Sequence, residues 1–214
     1  MKLPLQGSRA NDSTGMTLIE VIVAISIMGI IATSAIGLSI ASQTGAAAQQ
    51  RQELAVSIAN QTMESVSAQA ATTIALSVPS FLLQGRTQAD VTSSWSANAT
   101  ASGWTDTYMD WDTAATGATA DLVEITKTLP IQSGTVYTVT TLIGTCYEPA
   151  AGDCTLLPSV TVPPATTPHG YTQLQRVMVI VRWTVGTSCP PPGGCTFQAT
   201  SLFDPHVDLT WVSH

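Results

Sequence analysis

Charge is scarce in this sequence, and positive charge is the scarcer sign. Asp, Glu, Lys and Arg make up 10% of 214 residues, with 7 Lys+Arg against 14 Asp+Glu and a net charge of -7. Nothing basic is clustered beyond Arg176 and Arg182, so a nucleic-acid surface built on phosphate neutralisation has no footing. Histidine is limited to His169, His206 and His214, all in or beside expected loops or at the end of the sequence. There is no H-E-x-x-H pair, no G-x-S-x-G elbow and no phosphate loop. Asp204 and His206 flank Pro205, a spacing better suited to a turn than to a catalytic dyad. These absences point away from an enzyme and from a bound cofactor.

From Val21 to Ala41 charge is missing altogether. At ~1.5 Å per residue those 21 residues make a rod of ~32 Å, enough to cross a hydrocarbon layer of ~30 Å. At the mouth of the run stands Glu20, where an ionised side chain costs about 2.5 to 3.5 kcal/mol on insertion scales and calls for a partner. Before it come Ser13-Thr14-Gly15-Met16-Thr17-Leu18-Ile19 and a polar leader with Lys2 and Arg9. By the positive-inside bias that leader stays cytoplasmic and the chain beyond Ala41 is exported.

The polar, weakly basic leader, glycine, one hydrophobic residue, Thr-Leu-Ile-Glu-Val and the apolar run together resemble the class III signal of type IV prepilins and of type II secretion pseudopilins. The resemblance covers Ser13 to Ala41, with Met16 where phenylalanine is commonest. It implies that a prepilin peptidase cuts after Gly15, that Met16 becomes the N-methylated first residue, and that Glu20 serves assembly. It further implies an α+β pilin fold, other pilin or pseudopilin subunits as partners, and an inner-membrane assembly platform. The expected location is a single pass of the cytoplasmic membrane and then an envelope or extracellular filament. Roles within that family differ: a minor pilin with a head for adhesion or assembly contacts is expected, with a minor pseudopilin of a secretion or DNA-uptake system as the alternative. The physical reasons agree with these roles. Gly15 has no side chain to keep backbone from a peptidase, and a new amine on Met16 in a greasy setting would find its counter-ion in a neighbour's Glu20. An uncleaved anchor would need neither Gly15 nor Glu20 at this spacing, and a secretory signal has a shorter apolar core with its cleavage site after it.

The expected organisation is a leader over 1–15, a membrane or filament-core helix over 16–41, its amphipathic continuation over 42–71 and a head over 72–214. In the continuation, Leu54, Ile58, Thr62 and Ser65 or Val66 mark one face with Ala55, Ala59 and Met63, at a rough 3.6-residue period. The run Leu54–Glu64 is also similar to a helix segment of some minor pilins and minor pseudopilins. One helix from about Thr17 to Ala71 would be ~80 Å long. Small residues such as Gly29 and Gly37 would let helices approach closely.

The head begins with an expected irregular region over 72–120, a long connection with short elements of its own, rich in Ser, Thr, Ala and Gly and holding Trp95, Trp104 and Trp111. Asp106, Asp110 and Asp112 invite a calcium reading, but Ala114 and Ala115 break the EF-hand pattern, and solvated loop carboxylates are the default. After Asp121 an antiparallel sheet of four or five strands is expected: 121–129, 135–146, 175–185, 196–203, and a last stretch with Val207, Leu209 and Trp211. On the third of these, Val177, Val179, Val181, Trp183 and Val185 are the expected buried face.

Cys146 and Cys154 enclose one short loop, Cys189 and Cys195 another. Four cysteines in an exported domain favour disulfides, and pairing within each loop is preferred among three connectivities. A four-cysteine zinc site is the rival, against which the spacings count. Asn60-Gln61-Thr62 and Asn98-Ala99-Thr100 match the N-glycosylation pattern, a common coincidence.

Overall fold

The computed structural model describes residues 16–71, 81–99, 103–164 and 166–204. The first element is a helix of 54 residues, α1 (Leu18–Ala71), about 80 Å long at 1.5 Å per residue. The chain forms two compact units that divide within it, the second beginning at Gln50.

In the second unit the Gln50–Ala70 part of α1 lies on an antiparallel sheet. Ala55 and Ala59 are fully buried, and their small side chains bring the helix close to Tyr137, Val179 and Val181. One turn pair further on, Val66 packs with Leu82, Val123, Ile143 and Val177. The face read from the 3.6-residue period is the face that packs.

The sheet has five strands in the order β1-β3-β4-β5, with β2 also on β3. Its centre is the pair β3 (Tyr137–Pro149) and β4 (Tyr171–Trp183), registered from Tyr137↔Trp183 to Pro149↔Tyr171. Both are rich in Thr, Val and Ile, which suit a pleated buried surface. β5 (Cys195–Phe203) follows on β4, while the short β1 (Tyr108–Met109) and β2 (Thr126–Thr128) lie on β3. The β2–β3 hairpin closes through Gln132 and Thr135, with Ser133 at φ 49° and Gly134 at φ 75°. Positive φ at both central positions is the hairpin geometry that matches strand twist.

The described part of the 72–120 region holds a 3-10 turn (Phe81–Leu83), a helix α2 (Gln88–Asn98) and β1, short elements of its own. Thr87 caps α2, accepting from Asp90 N at 3.2 Å while its hydroxyl donates to Asp90 Oδ2 at 2.6 Å. Two expectations are corrected. The strand expected over 121–129 shrinks to three residues, because Val123 and Ile125 turn inward and Leu122 N bonds Gln84 O instead. The far face of β4 is covered as well: Met178 and Ile180 are buried with Ala99 and Trp104, and Trp95 packs against them. The second unit is therefore three layers, helix, sheet and α2 with its tryptophans. Val207, Leu209 and Trp211 lie outside the described residues, as do His206 and His214.

Gly144 sits where these layers meet. A Cβ there would collide with Tyr108 O and with the Trp95 ring. Glycine is the residue that lets β1 and α2 lie on β3 at this point.

Candidate functional site

Gly15 lies outside the described residues, and the structure begins with Met16, an exposed side chain just ahead of α1. Thr17 O accepts from Glu20 N at 3.0 Å and from Val21 N at 3.3 Å, which opens the helix. Glu20 thus falls in the first turn of α1, where unpaired N–H groups favour a carboxylate by about 0.3 to 1 kcal/mol.

From Val21 to Ala41 the helix carries no charge and is exposed on all sides. Ile25 is 66% exposed and Leu38 74%. It is long and apolar enough to cross a membrane, with mean hydropathy 2.4 and none of the apolar window buried. Its hydroxyls are turned back on the helix: Ser26 donates to Ile22 O, Thr33 to Gly29 O and Ile30 O, and Ser34 to Ile30 O. Those side chains bring no unpaired donor to an apolar surrounding. A helix of this kind is stable only once covered by lipid or by other helices, since each large side chain gains about 1.5 to 3 kcal/mol on leaving water.

Asp106, Asp110 and Asp112 are each engaged in local hydrogen bonds. Asp112 accepts from Gly85 N at 3.0 Å and from Ala114 N at 2.9 Å. Asp110 accepts from the Thr145 hydroxyl at 2.6 Å and from Trp111 N at 2.9 Å, and burial pushes its carboxyl above the usual range. Asp106 accepts from the Thr105 hydroxyl. The three carboxylates face different partners, and among the described residues no three metal-ligating side chains converge.

Both cysteine pairs are bonded within their loops, Cys146 to Cys154 and Cys189 to Cys195. Sulfurs so paired hold no zinc. Cys146–Cys154 is buried beside Leu174, and its loop is fastened by Arg176, which donates to Cys154 O and to the Thr107 hydroxyl. Asn98 is buried and donates to Ser94 O, which closes that glycosylation pattern; Asn60 is exposed on α1.

Sequence reasoning missed Arg86. It is 1% exposed, donating to Thr141 O at 2.6 Å and to Val123 O at 3.5 Å, and burial lowers its pKa to about 10 against the pull of Asp121. A single arginine in Gln84-Gly85-Arg86 carries no periodicity that would have marked it.

Residues 11–36 match the family described as the prokaryotic N-terminal methylation motif, so the class III signal read from the sequence is present. No curated protein and no solved structure matches the chain.

Proposed function

We propose that this chain is a type IV pilin-like filament subunit, and a minor pilin rather than the bulk component. A prepilin peptidase cuts after Gly15, and the new terminus at Met16 is N-methylated. The subunit waits as a single pass in the cytoplasmic membrane, with the positive leader inside, until the assembly platform draws α1 into a bundle of other pilin helices. There the Met16 amine of one subunit is paired by Glu20 of a neighbour. The head stays outside for adhesion or assembly contacts, and the chain performs no catalysis of its own.

The observation that carries this reading is the methylation motif at 11–36 running without a break into a 54-residue helix whose apolar part is exposed on every side. A plain membrane anchor would account for the apolar residues but not for Gly15 and Glu20 in register with them. The three-layer head, stapled twice, suits an exported specialised subunit.

The test is quantitative mass spectrometry of sheared surface filaments from the native host, reading both amount and N-terminal peptide. A trace amount beginning at methylated Met16 is the expected result. An abundant chain with that terminus would make it a bulk pilin. Absence from filaments with processing in the membrane would favour a pseudopilin, and an intact Gly15-Met16 bond would overturn both readings.

A further inference from the structure

The sheet face turned away from α1 is closed only in part among the described residues. α2 and its tryptophans lie over Leu142, Met178 and Ile180. On the same face, the next row toward the hairpin is Thr128 of β2, Thr138 of β3, Arg182 of β4 and Thr196 of β5, register partners across four strands. Paired residues point to one side of a sheet, so these side chains stand in one line, ~14 Å from end to end at ~4.8 Å per strand. Thr128 and Thr196 are exposed, while Thr138 and Arg182 are half-buried.

Arg182 makes no hydrogen bond and no ion pair among the described residues. The other cations of this unit are occupied. Arg86 donates to two carbonyls, Arg176 to Cys154 O and the Thr107 hydroxyl, and Lys127 lies 3.3 Å from Glu124. Arg51 stands on the α1 side, beside Tyr137. No carboxylate shares the row of Arg182, and the adjoining row of Thr126, Thr140, Ile180 and Gln198 is uncharged as well.

A guanidinium offers five N–H donors in a planar fork, and here it rises from an inner strand paired on both sides. A carboxylate lying in that plane takes two parallel N–H bonds. Threonine hydroxyls on either side both donate and accept, which suits hydroxyl groups next to such a carboxylate. The chain's net charge of -7 repels a densely charged polyanion, but far less a chain on which isolated carboxylates stand among many hydroxyls. That chemistry belongs to polysaccharides containing uronic acid.

We propose that the row Thr128, Thr138, Arg182 and Thr196 binds a uronic-acid polysaccharide, with the Arg182 guanidinium on a sugar carboxylate and the threonine hydroxyls on the ring hydroxyls beside it. The inference rests on the adhesive role proposed for the head, and it names the class of surface to which that head adheres.

The test titrates the full chain in detergent with a tetrasaccharide alternating glucuronic acid and N-acetylglucosamine. The same tetrasaccharide with its carboxyls reduced to alcohols, and densely sulfated heparin, are titrated beside it. The acidic tetrasaccharide is expected to bind, and its reduced form to bind about tenfold more weakly. Arg182→Gln is expected to lose about tenfold with an unchanged melting temperature. Arg182→Lys should keep only part of the affinity, since an ammonium has no fork. Thr138→Val and Thr196→Val, which keep the shape and remove the hydroxyl, should each lose about twofold to fivefold. No binding at millimolar tetrasaccharide, equal affinity for the reduced sugar, native affinity in Arg182→Gln, or tighter binding of heparin overturns the proposal. In the native host, Arg182→Gln should enter filaments at the native level, and its loss from them would make Arg182 an assembly contact and overturn the proposal too. Glu20→Ala keeps the two readings apart: it should bind the tetrasaccharide as the native chain does while failing to assemble. If it assembles normally, the filament reading has failed and the sugar site is decided by the titration alone.

Discussion

Arg86 Nη2 donates to Thr141 O at 2.6 Å, joining a buried loop residue to a central strand 55 residues away. Around that bond the loops before and after α2 are gathered: Asp112 N bonds Arg86 O, and Leu122 N bonds Gln84 O. Replacement of Arg86 by Ala leaves the Thr141 and Val123 carbonyls without their donor and opens a cavity. Loss of about 3 kcal/mol is expected, in the range for removing one partner of a buried charged group. Denaturant unfolding of the detergent-held chain, followed by tryptophan fluorescence, measures it. Arg86→Lys should recover less than half, since one ammonium cannot span both carbonyls.

Gly144→Ala is a sharper test of layering. The added methyl meets Tyr108 O and the ring of Trp95, so β1 or α2 must move. The expected cost is about 1 to 3 kcal/mol, as for overpacking elsewhere. Trp95 and Trp104 stack at 5.0 Å, and the near-ultraviolet circular dichroism of that pair should weaken. An unchanged spectrum and melt would show that the contact yields freely.

The two disulfides should not be worth the same. Their loops are short, with separations of 8 and 6, and chain entropy alone gives about 2 to 3 kcal/mol for each. Cys146–Cys154 is also buried in the core and anchors the loop that Arg176 holds. The double alanine variant of that pair should therefore be the less stable by about 1 kcal/mol. Melting temperatures of the two double variants, compared side by side, decide it.

Much of this architecture was legible in the sequence, for reasons that differ by element. The Ala55, Ile58, Ala59 and Val66 face follows from helical period. The strand alternation placed Val177, Val179 and Val181 correctly. It could not reveal that Met178 and Ile180 are covered too, because their cover, α2, is built from Gln-Ala-Asp-Val-Thr-Ser-Ser-Trp, with too few apolar residues to show a stripe. Arg86 was illegible for the opposite reason: a buried cation is justified only by carbonyls far along the chain. At the site, the signal around Gly15 and Glu20 was legible because it is a short contiguous pattern whose residues need no distant partner, and the methylation motif matches over it.

Asp110 gives the pH dependence a sign. Burial raises its carboxyl above the usual 3.8 in the folded chain, so the folded state holds that proton more tightly than the unfolded one. Its contribution is then fully present below 3.8 and is lost as pH rises through the folded value. Asp110→Asn mimics the protonated group and removes that dependence. Relative to the native chain, the variant should gain stability as pH climbs from about 4 toward neutrality. Asp121, raised by burial in the same direction, keeps a residual slope in both proteins. Parallel denaturant midpoints across pH 4 to 7 would mean that the hydrogen bonds from Thr145 and Trp111 offset burial at this carboxylate.

Glu20→Ala separates assembly from folding. The carboxylate stands in the first turn of α1, in the unit that ends before Gln50, so the head should melt as in the native chain. In a bundle, however, every incoming Met16 amine would then lie in an apolar setting without a counter-ion, a loss of about 3 to 5 kcal/mol for a broken buried pair. Filament incorporation should fall more than a hundredfold by that figure, while cleavage after Gly15 continues, because Glu20 lies beyond the bond that is cut. Glu20→Asp keeps the charge on a stem one methylene shorter and should restore part of the incorporation. If Glu20→Ala enters filaments at the native level with its head intact, the amine is neutralised by some other group and the pairing proposed for α1 is wrong.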